Sequence, residues 1–329
     1  MNPQEERIAI EDVQAGFHLL QPGDDDLFQS YAECVLDFQR RCNAVYKRYS
    51  GCRYLPIEAF KLAPVASFPP EEAELVFESS ATGNHTSRSK HYVRRADVYH
   101  RSLLLHFKKA FGPGPFAILA HLPYYEELGE RSSLVYMVRH LISEMGTTES
   151  GFYPSGAGDL QRAVDESEKK ESRIVLIGAA FSLMDLVQSA PPDLPENATV
   201  IETGGMKTFR REIDRISLHE HLARGFGLER SRIRSEYGMC ELMSQCYTLG
   251  GEVFFPPPWM RFEVLDADHP DRVLADGEPG VLAVLDLANM YSVSAILTED
   301  NAVRRGGGFE VIGRLSRAEL RGCNFLLEQ

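Results

Sequence analysis

The chain has 329 residues, of which 43% are hydrophobic and 25% charged, with a formal net charge of −13. This length and apolar content exclude a disordered chain, and the acidic balance with scattered basic pairs argues against a nucleic-acid partner. No apolar run is long enough to span a membrane, and the acidic start does not resemble a signal peptide. We therefore expect a cytoplasmic protein.

The N-terminal segment, residues 1–50, is predicted to be helical. Over residues 27–49 apolar side chains recur at three- and four-residue steps, namely Leu27, Tyr31, Cys34, Val35, Phe38, Cys42 and Val45. This period predicts a single helix whose buried face includes Cys34 and Cys42.

The central segment, residues 51–250, alternates short apolar runs with helical patterns. Continuous apolar runs between helices indicate strands that are buried on both faces, as in a parallel sheet flanked by helices. These runs are residues 116–120, 174–177 and 198–201. After about residue 250 the runs are separated by Gly, Asp and Pro turns, which predicts a smaller, mainly antiparallel section over 251–329. The fold class is therefore α/β.

The first candidate for chemistry is the loop after Phe77, which is crowded with Ser, Thr, Gly, Asn and Ala up to Ser87. Such small residues let backbone N–H groups surround a phosphate, and hydroxyls add further donors. The loop matches neither of the usual glycine-rich phosphate motifs. An ordinary polar loop is the alternative interpretation.

Two further segments carry suitable groups. In residues 235–241, Ser-Glu-Tyr-Gly-Met-Cys-Glu, the aromatic ring is suited to stack on a base, and Glu241 to hold Mg²⁺ on phosphate oxygens. The alternative there is a helix start with an incidental Glu. Near the C-terminus, an acidic residue of the segment 298–302, Thr-Glu-Asp-Asn-Ala, suits a ribose diol, and Arg314 suits a diol or a phosphate, although such groups also occur at many turns.

Taken in order, these motifs resemble the adenylate-forming enzymes. The relevant residues are Ser-Ser-Ala-Thr-Gly-Asn from Ser79, the Glu-Thr-Gly-Gly turn from Glu202, Tyr-Gly-Met-Cys-Glu, and the terminal Gly-Arg. Within that superfamily the chain is most similar to the acyl-protein synthetases of bacterial bioluminescence, and more distantly to phenylacetate-CoA ligases. The resemblance covers roughly residues 20–329. It implies one adenylate-forming domain over 1–329, with mostly parallel sheets and without the usual small C-terminal domain.

The resemblance also implies roles for individual residues. ATP and Mg²⁺ would be the cofactors, and the β- and γ-phosphates would lie in a loop lined by Ser79, Ser80, Thr82 and Gly83. Gly204 and Gly205 would flank the adenine, with Tyr237, next to Gly238, packed on it. Glu241 would hold Mg²⁺, Asp300 would bind the ribose hydroxyls, and Arg314 would lie near the same sugar.

The implied reaction activates a carboxylic acid, here a fatty acid, as acyl-AMP. The family then holds the acyl group as a thioester on a cysteine near the C-terminus, which corresponds to Cys323, and passes it to a partner such as an acyl reductase. The neighbouring Arg321 would lower the pKa of the Cys323 thiol. The structural alternative is a buried thiol among the apolar residues that follow it.

Other outcomes stay open at this stage. One alternative is a ligase whose acyl-AMP passes directly to CoA, an amine or a carrier protein. Another is a non-catalytic nucleotide-binding subunit. Cys240 stands where the superfamily usually has Thr. In the superfamily a Lys commonly follows the phosphate loop closely. Arg88 and Lys90 lie near the loop here but are not at that position, so no residue is assigned as the cation that binds the phosphates. The chain stops soon after Arg314, as the bioluminescence synthetases do.

Overall fold

The computed structural model describes residues 8–49, 53–79, 88–123, 129–155, 157–204 and 213–315. The α-helices in these ranges are α1 (Ile10–Gly16), α2 (Asp25–Cys42), α3 (Ala44–Arg48), α4 (Ala59–Leu62), α5 (Ala96–Phe111), α6 (Ser133–Met145), α7 (Ala157–Lys169), α8 (Ala180–Ser189) and α9 (Arg215–Phe226). None of them is long and apolar enough to cross a bilayer.

The strands are β1 (Leu55–Pro56), β2 (Leu75–Glu78), β3 (Lys90–Val93), β4 (Ala117–His121), β5 (Gly151–Phe152), β6 (Ile174–Ala179), β7 (Thr199–Thr203), β8 (Ile233–Tyr237), β9 (Cys246–Thr248), β10 (Phe254–Phe255), β11 (Met260–Leu265), β12 (Pro279–Asp286), β13 (Ala295–Arg305) and β14 (Gly308–Arg314). Short 3₁₀ helices cover Phe17–Leu19, Pro70–Glu72, Gly129–Arg131, Arg230–Arg232 and Leu287–Asn289.

One large sheet joins a parallel half to an antiparallel half. Strands β5, β4, β6, β7 and β8 lie side by side in that order and run parallel. The sheet continues through β9, β10, β14, β13, β12 and β11 with antiparallel pairing, and β1 adds to β13. Strands β2 and β3 form a separate antiparallel hairpin. The predicted α/β class, with an antiparallel section towards the C-terminus, is confirmed.

Helices cover both faces of the parallel half. On one face, α7, α8 and α9 contribute Leu160, Leu183 and Leu222 to a buried cluster with the strands. On the other face, α5 and α6 pack Leu103 and Val138 into the main core. Every residue of β4 is buried. Burial from both sides explains why these strands are continuous apolar runs rather than alternating ones.

The predicted single helix over residues 27–49 is wrong in two respects. The chain breaks at Asn43, whose side-chain oxygen accepts the backbone N–H groups of Val45 and Tyr46 and so begins α3. The buried face of α2 also differs from the predicted one and contains Phe28, Ala32, Val35, Leu36 and Gln39. Leu27 and Cys42 are exposed, and Cys34 is only partly buried.

A buried amide explains why the buried face of α2 differs from the predicted one. The Nε2 of Gln39 donates to the carbonyls of Asn289 (3.1 Å) and Met290 (3.0 Å). Because these carbonyls lie inside the protein, the hydrogen bonds compensate for burying the amide. A pattern of apolar residues alone cannot reveal such a contact.

Helices α8 and α9 approach closely at Gly225. A Cβ at this position would lie 2.1 Å from Cγ1 of Val187. A larger residue would not fit between α8 and α9, so glycine is required at this position. The two helices lie on the face of the parallel half that also carries α7.

Candidate active site at the carboxyl ends of the parallel strands

The strand registers show which residues meet at one edge of the sheet. Thr203, the last residue of β7, lies opposite Glu236 of β8. Gly204 follows β7 directly, and Tyr237 is the last residue of β8. In open α/β sheets, ligands bind outside the carboxyl ends of the strands. The Glu-Thr-Gly-Gly and Tyr-Gly motifs therefore reach the edge where a ligand is expected.

Three predicted site residues from three strands contact one another. The phenol of Tyr237 donates to Oδ2 of Asp300 (2.8 Å), and Nε of Arg314 donates to Oδ1 of the same carboxylate (3.1 Å). Asp300 of β13 and Arg314 of β14 are paired directly across the antiparallel ladder, next to an irregularity in register between Asn301 and Ala302. Because Tyr237 ends a strand, the interpretation of its motif as a helix start is wrong.

Burial and charge set the ionisation of this trio. Burial raises the pKa of the Tyr237 hydroxyl well above its usual value, and the negative charge of Asp300 raises it further. For Arg314, burial lowers the pKa, but the Asp300 carboxylate outweighs this effect and the net shift is upward. Asp300 thus accepts hydrogen bonds from one neutral and one cationic donor.

The glycines beside this trio serve different purposes. Gly204 has φ = +92°, and a Cβ built there would meet no described residue within 4 Å, so the backbone conformation favours glycine. At Gly238 a Cβ would lie 2.3 Å from Oε1 of Glu236. Gly204 is therefore uncrowded by the described part of the chain, whereas Gly238 covers a buried carboxyl group.

Glu241 is buried in the turn after β8, and its backbone is held from two sides. Nδ2 of Asn289 donates to the Glu241 carbonyl (2.8 Å), and Nδ1 of His91 lies 2.7 Å from the Cys240 carbonyl. Burial lowers the pKa of His91 to about 4, so its ring is neutral at pH 7. Because a carbonyl only accepts, Nδ1 carries the proton. His91 belongs to β3, so this bond joins the turn to the β2–β3 hairpin.

The segment after Glu241 is anchored on the buried carboxyl of Asp286. Its Oδ2 accepts the N–H of Met243 (3.1 Å), and its Oδ1 accepts the Ser244 hydroxyl (2.7 Å) and the N–H of Ala288 (3.1 Å). Burial raises the pKa of Asp286 to about 6 in spite of these donors. The path of the chain that carries Glu241 is therefore fixed by buried polar contacts.

Ser79 lies at the base of the predicted phosphate loop, directly after β2. Its N–H donates to the Ser89 carbonyl (3.1 Å), and its hydroxyl accepts the N–H of Ser89 (3.0 Å). At the same base, Glu78 pairs with Arg131 (3.4 Å), Lys90 (3.9 Å) and Arg88 (4.0 Å). Three cationic side chains therefore lie at the base of the loop for which the sequence had not identified a phosphate-binding cation.

The remaining predicted site residues lie outside the described residues, namely Ser80, Thr82, Gly83, Gly205 and Cys323. A cavity of about 630 Å³ opens at the carboxyl end of β5, lined in part by Phe152, Tyr153, Asp159 and Arg162. No predicted site residue is among those that line it.

Sequence reasoning gave no role to several buried polar residues at this edge, notably Glu236, Asp286 and Asn289. Glu236 offered a usable signal, because an acidic residue inside a buried strand is rare without a partner. Asp286 and Asn289 offered none, since they contact Met243, Ser244 and Glu241, which lie far earlier in the chain.

Comparison with known proteins defines the family. The family described as acyl-protein synthetase, LuxE, matches residues 161–329. The chain belongs to the LuxE family of acyl-protein synthetases. No curated protein matches the sequence. The family and the fold together make this LuxE-family chain an ATP-dependent ligase of the adenylate-forming type.

Solved structures show the shared fold. A 2-hydroxyisobutyryl-CoA ligase is 11% identical with a TM-score of 0.63, over 91% of this chain and 70% of that chain. The amide bond synthetase McbA from Marinactinospora thermotolerans is 17% identical with a TM-score of 0.53, over 77% of this chain and 53% of that one. ATP-bound MatB from Rhodopseudomonas palustris is 15% identical with a TM-score of 0.52, over 75% and 49%. The matched region thus spans about half the length of McbA and MatB.

Proposed function

We propose that the protein is an ATP-dependent acyl-protein synthetase that activates a fatty acid as acyl-AMP and transfers the acyl group to a protein cysteine. The observation that carries the proposal is the contact of Tyr237 with Asp300 and of Asp300 with Arg314, at the carboxyl ends of the parallel strands. These residues come from motifs far apart in sequence, and the adenylate-forming resemblance gives all three to the nucleotide.

The hydrogen-bond capacity of Asp300 suits a ribose diol. Each carboxylate oxygen has two lone pairs. Tyr237 uses one on Oδ2 and Arg314 uses one on Oδ1, which leaves an acceptor site on each oxygen. Two adjacent ribose hydroxyls can each donate to one of them without displacing the existing donors.

The adenine would lie between the turn after β7 and the end of β8. Gly204 has no described neighbour within 4 Å of its Cβ direction and carries no side chain that a flat base would meet. Tyr237 would supply the aromatic surface on the other side, and the resemblance also gives Gly205 to the adenine. Ser79, Ser80, Thr82 and Gly83 would hold the β- and γ-phosphates, with Arg88, Lys90 and Arg131 as nearby cations.

Mg²⁺ fits the residues present as a metal held jointly with the nucleotide. The described Asp, Glu, His and Cys residues contain no group of three or more that would hold a metal by themselves. Mg²⁺ is commonly bound through one or two carboxylates together with substrate phosphates, which matches the single carboxylate of Glu241. When bound, the ion would neutralise charge on the phosphates.

The chemistry proceeds in two balanced transfers. A carboxylate oxygen of the acid attacks the α-phosphorus, the bond to the β-phosphate breaks, and pyrophosphate leaves with the electron pair. The Cys323 thiolate then attacks the acyl carbon, AMP leaves, and a thioester remains. The chain contributes orientation and charge stabilisation. A partner such as an acyl reductase would take the acyl group, and a reducing cytoplasm would keep the thiol free.

ATP–pyrophosphate exchange across a panel of fatty and aryl acids tests the first transfer. We expect exchange with at least one fatty acid, and its absence with every acid, in a folded sample, would overturn the proposal. Cys323→Ser tests the second transfer, because it should keep exchange and abolish hydroxylamine-labile acyl labelling. Cys42→Ser, at an exposed thiol, is the matched control and should keep the labelling.

Mass spectrometry of the incubated protein separates the alternatives. An acyl mass on the protein supports the proposal. Exchange without any bound acyl group would instead favour direct transfer of the acyl-AMP to CoA, an amine or a carrier protein. ATP binding without exchange, even with a partner added, would favour a non-catalytic subunit.

A further inference from the structure

The buried carboxyl of Glu236 joins the ends of two neighbouring strands. Glu236 is the last residue but one of β8 and lies opposite Thr203, the last residue of β7. The Thr203 hydroxyl donates to Oε2 of Glu236, and both side chains are buried. The bond therefore ties the two strands at the last pair of residues before their loops begin.

The second oxygen of the same carboxyl lies against the Tyr-Gly motif. A Cβ at Gly238 would come within 2.3 Å of Oε1 of Glu236, and only 3.5 Å from Cγ of Gln245. The carboxyl thus fills the space directly beside the backbone of Gly238. One side chain contacts the end of β7 through Oε2 and the turn after β8 through Oε1.

We propose that Glu236 is a positioning residue that fixes the distance between Gly204 and Tyr237, the two sides of the adenine site. The inference rests on the proposed function, because these two residues bind the nucleotide only under that proposal. Glu236 itself need not touch ATP. It acts by holding the end of β7 and the turn after β8 in one arrangement.

The surroundings make this arrangement depend on pH. The titratable groups that face Glu236 are Glu202 from β7, Tyr99 from α5, and Cys246 and Tyr247 from β9. No cation of the residues that the structure describes is among them. Burial, and then the charge of Glu202, raise the pKa of Glu236 to about 7 although the Thr203 bond lowers it. Burial and the charge of Glu202 therefore favour the neutral carboxyl, and we expect the ionised form to move towards water and away from Gly238.

Three variants test the inference by ATP–pyrophosphate exchange, with KM measured separately for ATP and for the acid. Glu236→Ala removes the contact and should raise KM for ATP about tenfold, with kcat and the acid KM within about twofold. Glu236→Gln keeps the shape and the acceptor but cannot ionise. Tyr247→Phe removes a buried hydroxyl that has no hydrogen-bond partner among the described residues. Its ring faces Glu236, and the change should leave all constants unchanged.

The pH profile distinguishes a positioning role from a purely structural one. In the wild type, KM for ATP should rise between about pH 6 and about pH 8 as Glu236 ionises. In Glu236→Gln the KM for ATP should stay at its low-pH value. Titration of ATP itself affects both proteins equally, so the comparison of the two profiles removes it. Equal slopes in the two proteins would overturn the inference. A change confined to the acid KM would also overturn it, because Glu236 would then contact the acid.

Two controls keep the result interpretable. Melting temperatures are measured first, and if Glu236→Ala is unfolded, Thr203→Val takes its place, because it removes only the hydroxyl donor to Oε2. If the wild-type protein shows no ATP–pyrophosphate exchange, the proposed function and this inference both fail. Wild-type exchange with an unchanged ATP KM in the folded variant removes this inference alone.

Discussion

Replacing Tyr237 by Phe removes one oxygen atom and nothing else from the ribose side of the site. The lost hydrogen bond is 2.8 Å long and joins a 9% exposed phenol to a 7% exposed carboxylate. A hydrogen bond to a charged group contributes about 1.5–3 kcal/mol when one partner is removed. Arg314 keeps its bond to the other oxygen of Asp300. We therefore expect the free energy of unfolding to fall by about 2 kcal/mol.

Tyr247→Phe provides a matched control. Its phenol is also buried, but the hydroxyl has no hydrogen-bond partner among the described residues. Removing an unpaired buried hydroxyl relieves a desolvation cost, so the control should change stability by no more than about 0.5 kcal/mol, or should stabilise the protein. The two variants differ only in whether the lost hydroxyl had an acceptor.

Urea denaturation at pH 7, followed by the fluorescence of Trp259, measures the free energy of unfolding directly. ATP–pyrophosphate exchange on the same samples should show a higher KM for ATP in Tyr237→Phe, because Asp300 loses one of its two fixed donors. If Tyr237→Phe and Tyr247→Phe shift the unfolding curve equally, the Tyr237–Asp300 bond is not the source of the effect and the reasoning fails.

Three other predictions follow from the contacts. Gly225→Ala should destabilise the protein by about 1–3 kcal/mol in a thermal melt, because the new methyl group meets Val187, although alanine favours an isolated helix; a gain in stability would contradict this packing. Asp300→Asn should raise KM for ATP at least about tenfold without unfolding the chain, and unchanged kinetics would exclude the ribose role. Because the pKa of Glu236 is raised from 4.5 to about 7, its neutral form stabilises the native state, and this contribution is fully present below the unfolded-state pKa of 4.5 and is lost as pH rises from there through about 7. Wild type should therefore lose up to about 3 kcal/mol more stability than Glu236→Gln between about pH 5 and about pH 9, as measured by urea denaturation, and parallel curves would show that Glu236 does not titrate there.

The parallel strands were predictable because burial on both faces leaves a local trace. The run 174–177 is apolar throughout since β6 meets helices on each side of the sheet. β4 is likewise buried along its whole length, and in β7 the adjacent residues Val200 and Ile201 belong to the two different clusters. The antiparallel section was predictable from its regular turns. These features depend on the composition of short segments, which the sequence displays directly.

The N-terminal helices and the site contacts depend on distant partners instead. Gln39 faces the core because carbonyls some 250 positions later along the chain accept its amide. Asp300 and Arg314 were identified only through the order of motifs, and their pairing follows from the register of β13 and β14. Glu236 was missed because its importance depends on Thr203 and Gly238, which the fold places around it.

The pairing of Asp300 with Arg314 limits how this part of the chain can vary in length. The two residues face each other only because a fixed number of residues separates them around one tight hairpin, between Arg305 and Gly308. Side chains alternate along a strand, so gaining or losing a single residue in that stretch would send one partner to the opposite surface. Among natural variants, insertions should therefore be absent from residues 301–313. They should occur in other surface loops, where the number of residues does not decide which side chains face each other.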